Sequence, residues 1–413
     1  DRSPSRGLGD VYKRQTLLYS AKTYDSAKHA SKYAVNIPEV SFDLPKIIAR
    51  KSKVVRKLVL GVKAKLTANN VTIVSGEAQI IDKNTVRCGE EIYEGENLIL
   101  CTGSETFIPP IPGVDAVNYW THRDALDSKE LPASLAIVGG GVIGMEFASF
   151  FNSLGVQVTV VEMMDEILGG MDKELSALLR AEYTKRGIKF LLSTRVVGLS
   201  QTEEGAVVSY ENAEGNGSVI AEKLLMSVGR RPVAKGFGLE NLNLEKTERG
   251  AIRINEKMQT SVPGVYVCGD LTGFSLLAHT AVREAEVAVH SILGKEDAMS
   301  YRAIPGVVYT NPEIAGVGET EESASTKGIN YQVIKLPMAY SGRFVAENEG
   351  VNGVCKVLLD EQQRVIGSHV LGNPASEIIT LAGTAIELGL TAAQWKKIVF
   401  PHPTVGEIFR EVL

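Results

Sequence analysis

Apolar positions recur along this chain at two spacings, and the change from one spacing to the other marks its elements. From Thr16 to Tyr33, and again from Phe42 to Leu66, they fall at helical intervals, the second stretch opened by Asp43 and Pro45. The runs VTIVSGEAQIIDKNTVRC and ENLILCTGS then read as short strands of a meander leading into a buried strand, and PPIPGV marks a boundary. Residues 135–162, LAIVGGGVIGMEFASFFNSLGVQVTVVE, predict a strand, a glycine turn, a helix to Leu154, a turn at Gly155 and a second strand. An amphipathic helix follows over Asp172 to Arg186, then a strand over Lys189 to Leu192 and a hairpin in GAVVSYENAEGNGSVIAEKL, with a second boundary near residue 245. VPGVYVCGD closes another apolar strand, ahead of a helix from about Leu277 toward Leu293. From Tyr301 onward the strands GVVYT, CKVLLD and VIGSHVL and two helices, Glu377 to Leu388 and Val405 to the end, predict a separate α+β domain.

The first fifteen residues, DRSPSRGLGDVYKRQ, lack this periodicity and read as a disordered or foreign tail. The expected division is therefore a tail at 1–15, one domain from 16–115 and 246–300, a second at 116–245, and a third at 301–413.

A chain of 413 residues exceeds what one core serves, and 44% apolar with 23% charged residues supplies core for two or three domains. The net charge of −5 argues against a nucleic-acid partner. The one dense basic stretch, Lys46 to Lys65, alternates with apolar residues as a solvated helix face would. There is no long apolar run to span a membrane and no charged-then-apolar leader. Four cysteines, Cys88, Cys101, Cys268 and Cys355, lie far apart in sequence without a C-x-x-C spacing, which suits structural thiols in a reducing, cytoplasmic compartment, with a redox pair among them as the lesser reading because each sits in a strand-like or strand-end context.

Chemistry concentrates in the 135–162 segment. Gly139, Gly141 and Gly144 have the G-x-G-x-x-G spacing that brings backbone close to a pyrophosphate at a helix N-terminus, with Gly140, Val142 and Ile143 completing the turn. Glu162, 23 residues after Gly139, is placed to accept the ribose hydroxyls of NAD and to repel the 2′-phosphate of NADP. An NAD site is expected.

LILCTGS, the NAD-type unit, VYVCGD with Ala278 eight residues beyond Asp270, and HPTVGE at 402–407 occur in one order. In that order and spacing they resemble the flavoprotein disulfide reductases, and among them the dihydrolipoamide dehydrogenases; the runs YTNPEIAGVGETEE and PMAYSGRFVAENEG strengthen the likeness. The resemblance covers Thr16 to Leu413 and implies an α/β fold of two nested Rossmann-like domains, one for FAD and one for NAD, plus a C-terminal α+β dimerisation domain. It implies that Gly103 and Asp270 contact FAD, with Ala278 and His279 opening a helix aimed at the flavin. It further implies that Val196 lies beside the adenosine, that Ser227, Val228, Gly229 and Arg230 form the loop over the nicotinamide, and that Glu146 is a buried acid near flavin and nicotinamide whose usual lysine partner is not found. His402, held by Glu407, would be the base of a homodimer's active site, deprotonating a dithiol near neutral pH.

The family pattern also begins with an FAD-type G-x-G-x-x-G turn, a C-x4-C disulfide and a Ser-Lys step, and none of these stands in the sequence. The FAD domain is accordingly expected to be incomplete and the chain to be a fragment unable to turn over lipoamide. The expected parent activity passes electrons from protein-bound dihydrolipoamide through a disulfide and FAD to NAD, with lipoyl domains of 2-oxoacid dehydrogenase or glycine cleavage complexes as partners. Glutathione reductase would want basic residues where Glu162 to Asp165 stand, and mercuric reductase a C-terminal cysteine pair. A soluble transhydrogenase and a non-catalytic NAD-binding dimer are the remaining alternatives.

Overall fold

The computed structural model describes residues 6–413; the first five residues of the expected tail lie outside them. The first helix, Arg6–Lys28, corrects the expectation for residues 6–15, which are helical and not disordered. Once the Thr16 helix is nucleated each added residue closes one more backbone bond, and no proline intervenes after Pro4 to stop it. The second helix, Leu44–Ala68, starts where Asp43 accepts the Lys46 N–H at 3.0 Å. Its later apolar residues, among them Leu60 and Val62, stay exposed.

The chain divides into two compact units, one holding residues 52–107 and 229–301, the other residues 14–51, 108–228 and 302–413. The return to the first unit falls at Gly229, ahead of the boundary expected near residue 245.

In the larger unit a five-stranded parallel sheet is ordered Tyr119–Trp120, Lys223–Met226, Ser134–Val138, Gln157–Val161, Lys189–Leu191. Leu135, Ala136, Ile137 and Val138 are all buried, as strands covered on both faces require. The helix Val142–Ser153 packs Phe147, Phe150 and Phe151 into the core, with Phe150 edge-on to Phe151 at a ring separation of 5.1 Å. The predicted hairpin is the pair Gly205–Asn212 and Gly215–Ala221, joined by Arg195–Thr202 in a three-stranded antiparallel sheet.

The C-terminal part of the same unit is a five-stranded antiparallel sheet ordered Gly306–Val308, Ile314–Gly318, Val365–Leu371, Val354–Asp360, Tyr331–Pro337, with the helix Ala375–Glu387 on it. The apolar pattern predicts three of these strands; Ile314–Gly318 and Tyr331–Pro337 do not stand out in it because glycine and lysine interrupt their apolar runs.

The smaller unit holds the expected meander, Ala78–Asp82, Thr85–Cys88 and Glu91–Glu94. Beside it lie a parallel pair, Leu98–Leu100 with Val265–Val267, and an antiparallel pair, Ser104–Thr106 with Arg230–Pro232. Ile80, Leu100, Ile252, Val265, Val267 and Leu271 form its core.

Candidate functional site

The glycine turn follows the strand Ser134–Val138 and opens the helix Val142–Ser153, for which Gly141 is the cap residue. Its glycines are required for different reasons. Gly139 has φ +103°, and a Cβ there would lie 2.3 Å from the Ser227 carbonyl oxygen; a Cβ on Gly144 would lie 2.0 Å from the Gly139 carbonyl oxygen. Around the Cβ position of Gly141 nothing lies within 4 Å, so that glycine leaves open space at a helix N-terminus. Val142, exposed, and Ile143 complete the first helical turn.

Glu162 follows the strand Gln157–Val161 directly. Its carboxylate accepts the Gly140 N–H at 2.6 Å and the Met164 N–H at 2.8 Å, which fixes the acid beside the turn. Val196 lies on Arg195–Thr202, opposite Tyr210. Ser227 carries a buried hydroxyl that has no hydrogen-bond partner among the described residues, an orphan a bound ligand would satisfy. These features fit a dinucleotide.

In the smaller unit Gly103, at φ +71°, follows the strand Leu98–Leu100, and Asp270 follows Val265–Val267. Asp270 is the second residue of the 3-10 turn Gly269–Thr272, and its carboxylate accepts the Ser104 hydroxyl. Arg230 then donates to Ser104 twice, from Nε to the hydroxyl at 2.7 Å and from Nη2 to the carbonyl at 2.6 Å. Buried Glu284 holds the turn by accepting the Gly269 N–H at 2.6 Å and the Tyr301 hydroxyl at 2.6 Å. Burial raises the Glu284 carboxyl above its usual range despite those bonds. The helix Ala278–Ile292 starts at Ala278, with His279 exposed in its first turn.

His402 and Glu407 meet as expected. The His402 Nδ1 and Glu407 Oε1 are 2.9 Å apart, and Glu407 also accepts the Thr404 N–H at 2.7 Å, closing a capping box that fixes the acid. The Thr404 N–H and then His402 hold the Glu407 carboxyl below its usual value. With Nδ1 held by the carboxylate and the side chain 80% exposed, Nε2 is the atom left to take a proton from an outside group.

Glu146, 3% exposed on the helix Val142–Ser153, accepts the Arg14 Nε–H at 2.6 Å and the Tyr309 N–H at 3.2 Å. Its cation is thus Arg14 of the first helix, within the expected tail, and not the lysine that the resemblance implies.

Residues 9–285 match the family model described as pyridine nucleotide-disulphide oxidoreductase, and residues 304–413 match the dimerisation domain of the same name. The chain is 35% identical over 402 residues to the dihydrolipoyl dehydrogenase of Geobacillus stearothermophilus, spanning 96% of this chain and 85% of that protein. It is 34% identical over 412 residues to the human mitochondrial dihydrolipoyl dehydrogenase, spanning 96% and 80%. The chain belongs to the pyridine nucleotide-disulphide oxidoreductases.

Among solved structures of similar fold, the HOCl-induced flavoprotein disulfide reductase RclA from Escherichia coli matches with a TM-score of 0.84 at 26% identity, over 97% of this chain and 88% of that one. LpdA from Mycobacterium tuberculosis matches with a TM-score of 0.90 at 24% identity, over 99% and 90%, and shares the fold. As in others of the pyridine nucleotide-disulphide oxidoreductases, the C-terminal sheet is a dimerisation domain.

Three site features escaped the motif reading. Ser104 and Arg230 lie 126 residues apart and meet only because their strands pair, so no local pattern could show them. Likewise Cys101 and Cys268, far apart in sequence, stand side by side at the ends of paired strands, where the Cys268 N–H donates to the Leu100 carbonyl at 3.1 Å. Glu284, a helical acid in an ordinary amphipathic pattern, gave no signal at all.

Proposed function

We propose that this chain carries the pyridine-nucleotide and proton-transfer parts of an NAD-linked dihydrolipoyl dehydrogenase, serving lipoyl domains of 2-oxoacid dehydrogenase or glycine cleavage complexes as a cytoplasmic homodimer. The observation that carries the reading is the His402–Glu407 pair in the dimerisation domain of a member of this family. Bound FAD and NAD would supply the two-electron and hydride chemistry.

For NAD, the open space at Gly141, the orphaned Ser227 hydroxyl and the positioned Glu162 carboxylate are the fitting features. Gly139 to Gly144 would receive the pyrophosphate on backbone N–H groups, and Glu162 the ribose hydroxyls. Val196 would border the adenosine, and Ser227, Val228, Gly229 and Arg230 the nicotinamide side. For FAD, the Arg230–Ser104–Asp270 chain fits a sugar-alcohol hydroxyl, because it holds the Asp270 carboxylate in one orientation. Gly103, Ala278 and His279 would present backbone to the same cofactor, with the helix N-terminus favouring negative charge on the flavin. Glu146 would hold a buried negative charge near the nicotinamide.

His402 takes a proton from the substrate dithiol at Nε2 while Glu407 fixes the tautomer and stabilises the imidazolium. The four cysteines of the sequence include no C-x4-C pair, so the thiol relay of the family pattern is not carried by these residues. That observation favours, as second reading, a dimeric NAD-binding chain that does not oxidise dihydrolipoamide.

The test compares the chain with a fusion in which an FAD-type glycine turn and C-x4-C segment are joined to its N-terminus. The chain alone should bind NADH more tightly than NADPH and leave dihydrolipoamide unreacted. The fusion should be yellow and reduce NAD with dihydrolipoamide, and His402→Gln in it should lower kcat/KM about 100-fold. A fusion that holds FAD yet ignores dihydrolipoamide sinks the substrate assignment and leaves a transhydrogenase-like reductase in its place.

A further inference from the structure

We propose that Cys101 and Cys268 form a reversible thiol–disulfide pair between the two arms that carry Gly103 and Asp270, oxidised by low-molecular-weight disulfides. The placement follows from strand register. Leu98–Leu100 and Val265–Val267 run parallel with Leu100 opposite Val267, and each chain takes one further step, to Cys101 and Cys268. The Cys268 N–H donates to the Leu100 carbonyl at 3.1 Å, so the pairing persists to the cysteines themselves. Neighbouring strands lie about 4.8 Å apart. That is inside the roughly 4.4–6.8 Å between Cα atoms that a disulfide accepts.

The two thiols are unequal. Cys101 is exposed, whereas Cys268 is buried behind it. The neighbouring Cys268 thiol holds the Cys101 thiol below its ordinary value, and Cys101 together with burial pushes the Cys268 thiol up. Cys101 is therefore the attacking thiolate and Cys268 the resolving thiol. The Cys101 thiolate attacks one sulfur of an incoming disulfide, and the other sulfur leaves as a thiolate. Cys268 then gives its proton to that released thiolate, attacks the Cys101 sulfur and expels the second small thiolate, which takes up from water the proton that Cys101 lost on ionising. Two protein thiols and one small disulfide become one protein disulfide and two small thiols, so atoms and electrons balance. Neither Cys88 on the meander nor Cys355, buried in the C-terminal sheet, takes part.

This pair is separate from the C-x4-C relay of the family pattern, and its oxidation does not depend on the flavin reading. The experiment treats the reduced full chain with oxidised glutathione, then reads intact mass and maps peptides without reductant. The chain should lose the mass of two hydrogens, its free thiols should fall from four to two, and one cross-linked peptide should join Cys101 to Cys268. Dithiothreitol should restore all four. Cys268→Ser, or Cys268→Ala if the serine variant misfolds, should trap one glutathione on Cys101, and Cys101→Ser should leave Cys268 unmodified. A wild-type chain that keeps glutathione on Cys101 without the cross-link overturns the proposal. So does cross-linking through Cys88 or Cys355, or a Cys268 adduct in Cys101→Ser.

Discussion

Gly141 and Gly144 sit three residues apart in one turn, yet an added methyl meets different fates at each. At Gly144 it would lie 2.0 Å from a backbone oxygen that cannot move without opening the turn. Gly144→Ala should therefore cost about 3 kcal/mol of stability, seen as a lowered thermal midpoint. At Gly141 the methyl meets open space, so stability should be unchanged. NADH binding by Gly141→Ala should weaken about tenfold, read by fluorescence titration, because the methyl occupies the space a pyrophosphate would use. Unchanged NADH affinity in Gly141→Ala would move the nucleotide away from this turn. Glu407 makes a second residue-scale case. Its carboxyl is held low first by the Thr404 N–H and then by His402, so it stays ionised as pH falls through the ordinary glutamate range. The contribution of these bonds to stability is present above that range and lost as pH falls through the lowered value. In His402→Gln the Glu407 titration followed by carbon NMR should move up only part of the way, since the backbone donor remains.

The elements of the larger unit are tied by a buried cation that no motif announces. Lys356, 1% exposed on the strand Val354–Asp360, donates to Asp172 at 3.0 Å and to Glu321 at 2.7 Å, and forms an ion pair with Glu174 at 2.7 Å. Asp172 also caps the helix Lys173–Lys185 by accepting the Leu175 N–H, so one ammonium joins that helix to the C-terminal sheet within the unit. Burial alone would lower the Lys356 ammonium, but its bonds to Glu174, Glu321 and Asp172 hold it above the ordinary lysine value. Its stabilisation is thus whole at neutral pH and is lost only as pH rises beyond that ordinary value. Lys356→Met, which strands buried Asp172 without its cation, should cost about 3–5 kcal/mol in urea unfolding. A loss below 1 kcal/mol would show that water reaches the acids and the tie is weak. In sequence, CKVLLD read as a strand and its lysine as one more polar position. Only the meeting of three distant acids on it gives the lysine its role. The glycine turn was legible for the opposite reason, since strand, glycines, helix and acid all lie within residues 135–162.

For the whole molecule, the two compact units have separate cores, one built on Ile80, Leu100, Val265 and Leu271, the other on the parallel sheet and its phenylalanines. Calorimetry of the chain should resolve two transitions, and NADH should raise only the one that belongs to the larger unit, by mass action on its folded form. One cooperative transition moved as a whole by NADH would show that the units melt together. The passage between the units after Phe107 falls next to PPIPGV, while the return at Gly229 is hidden inside SVGRRP, a stretch that reads as strand end. That return lies beside the departure. Phe107 donates its N–H to the Gly229 carbonyl at 3.0 Å, and Ser104–Thr106 pairs with Arg230–Pro232. The segment 108–228 therefore leaves and rejoins the smaller unit through a single two-stranded ribbon. Such a ribbon is a natural recombination point: exchange of genetic material at its two ends replaces everything between them with another sequence, and the smaller unit keeps every strand partner it already has.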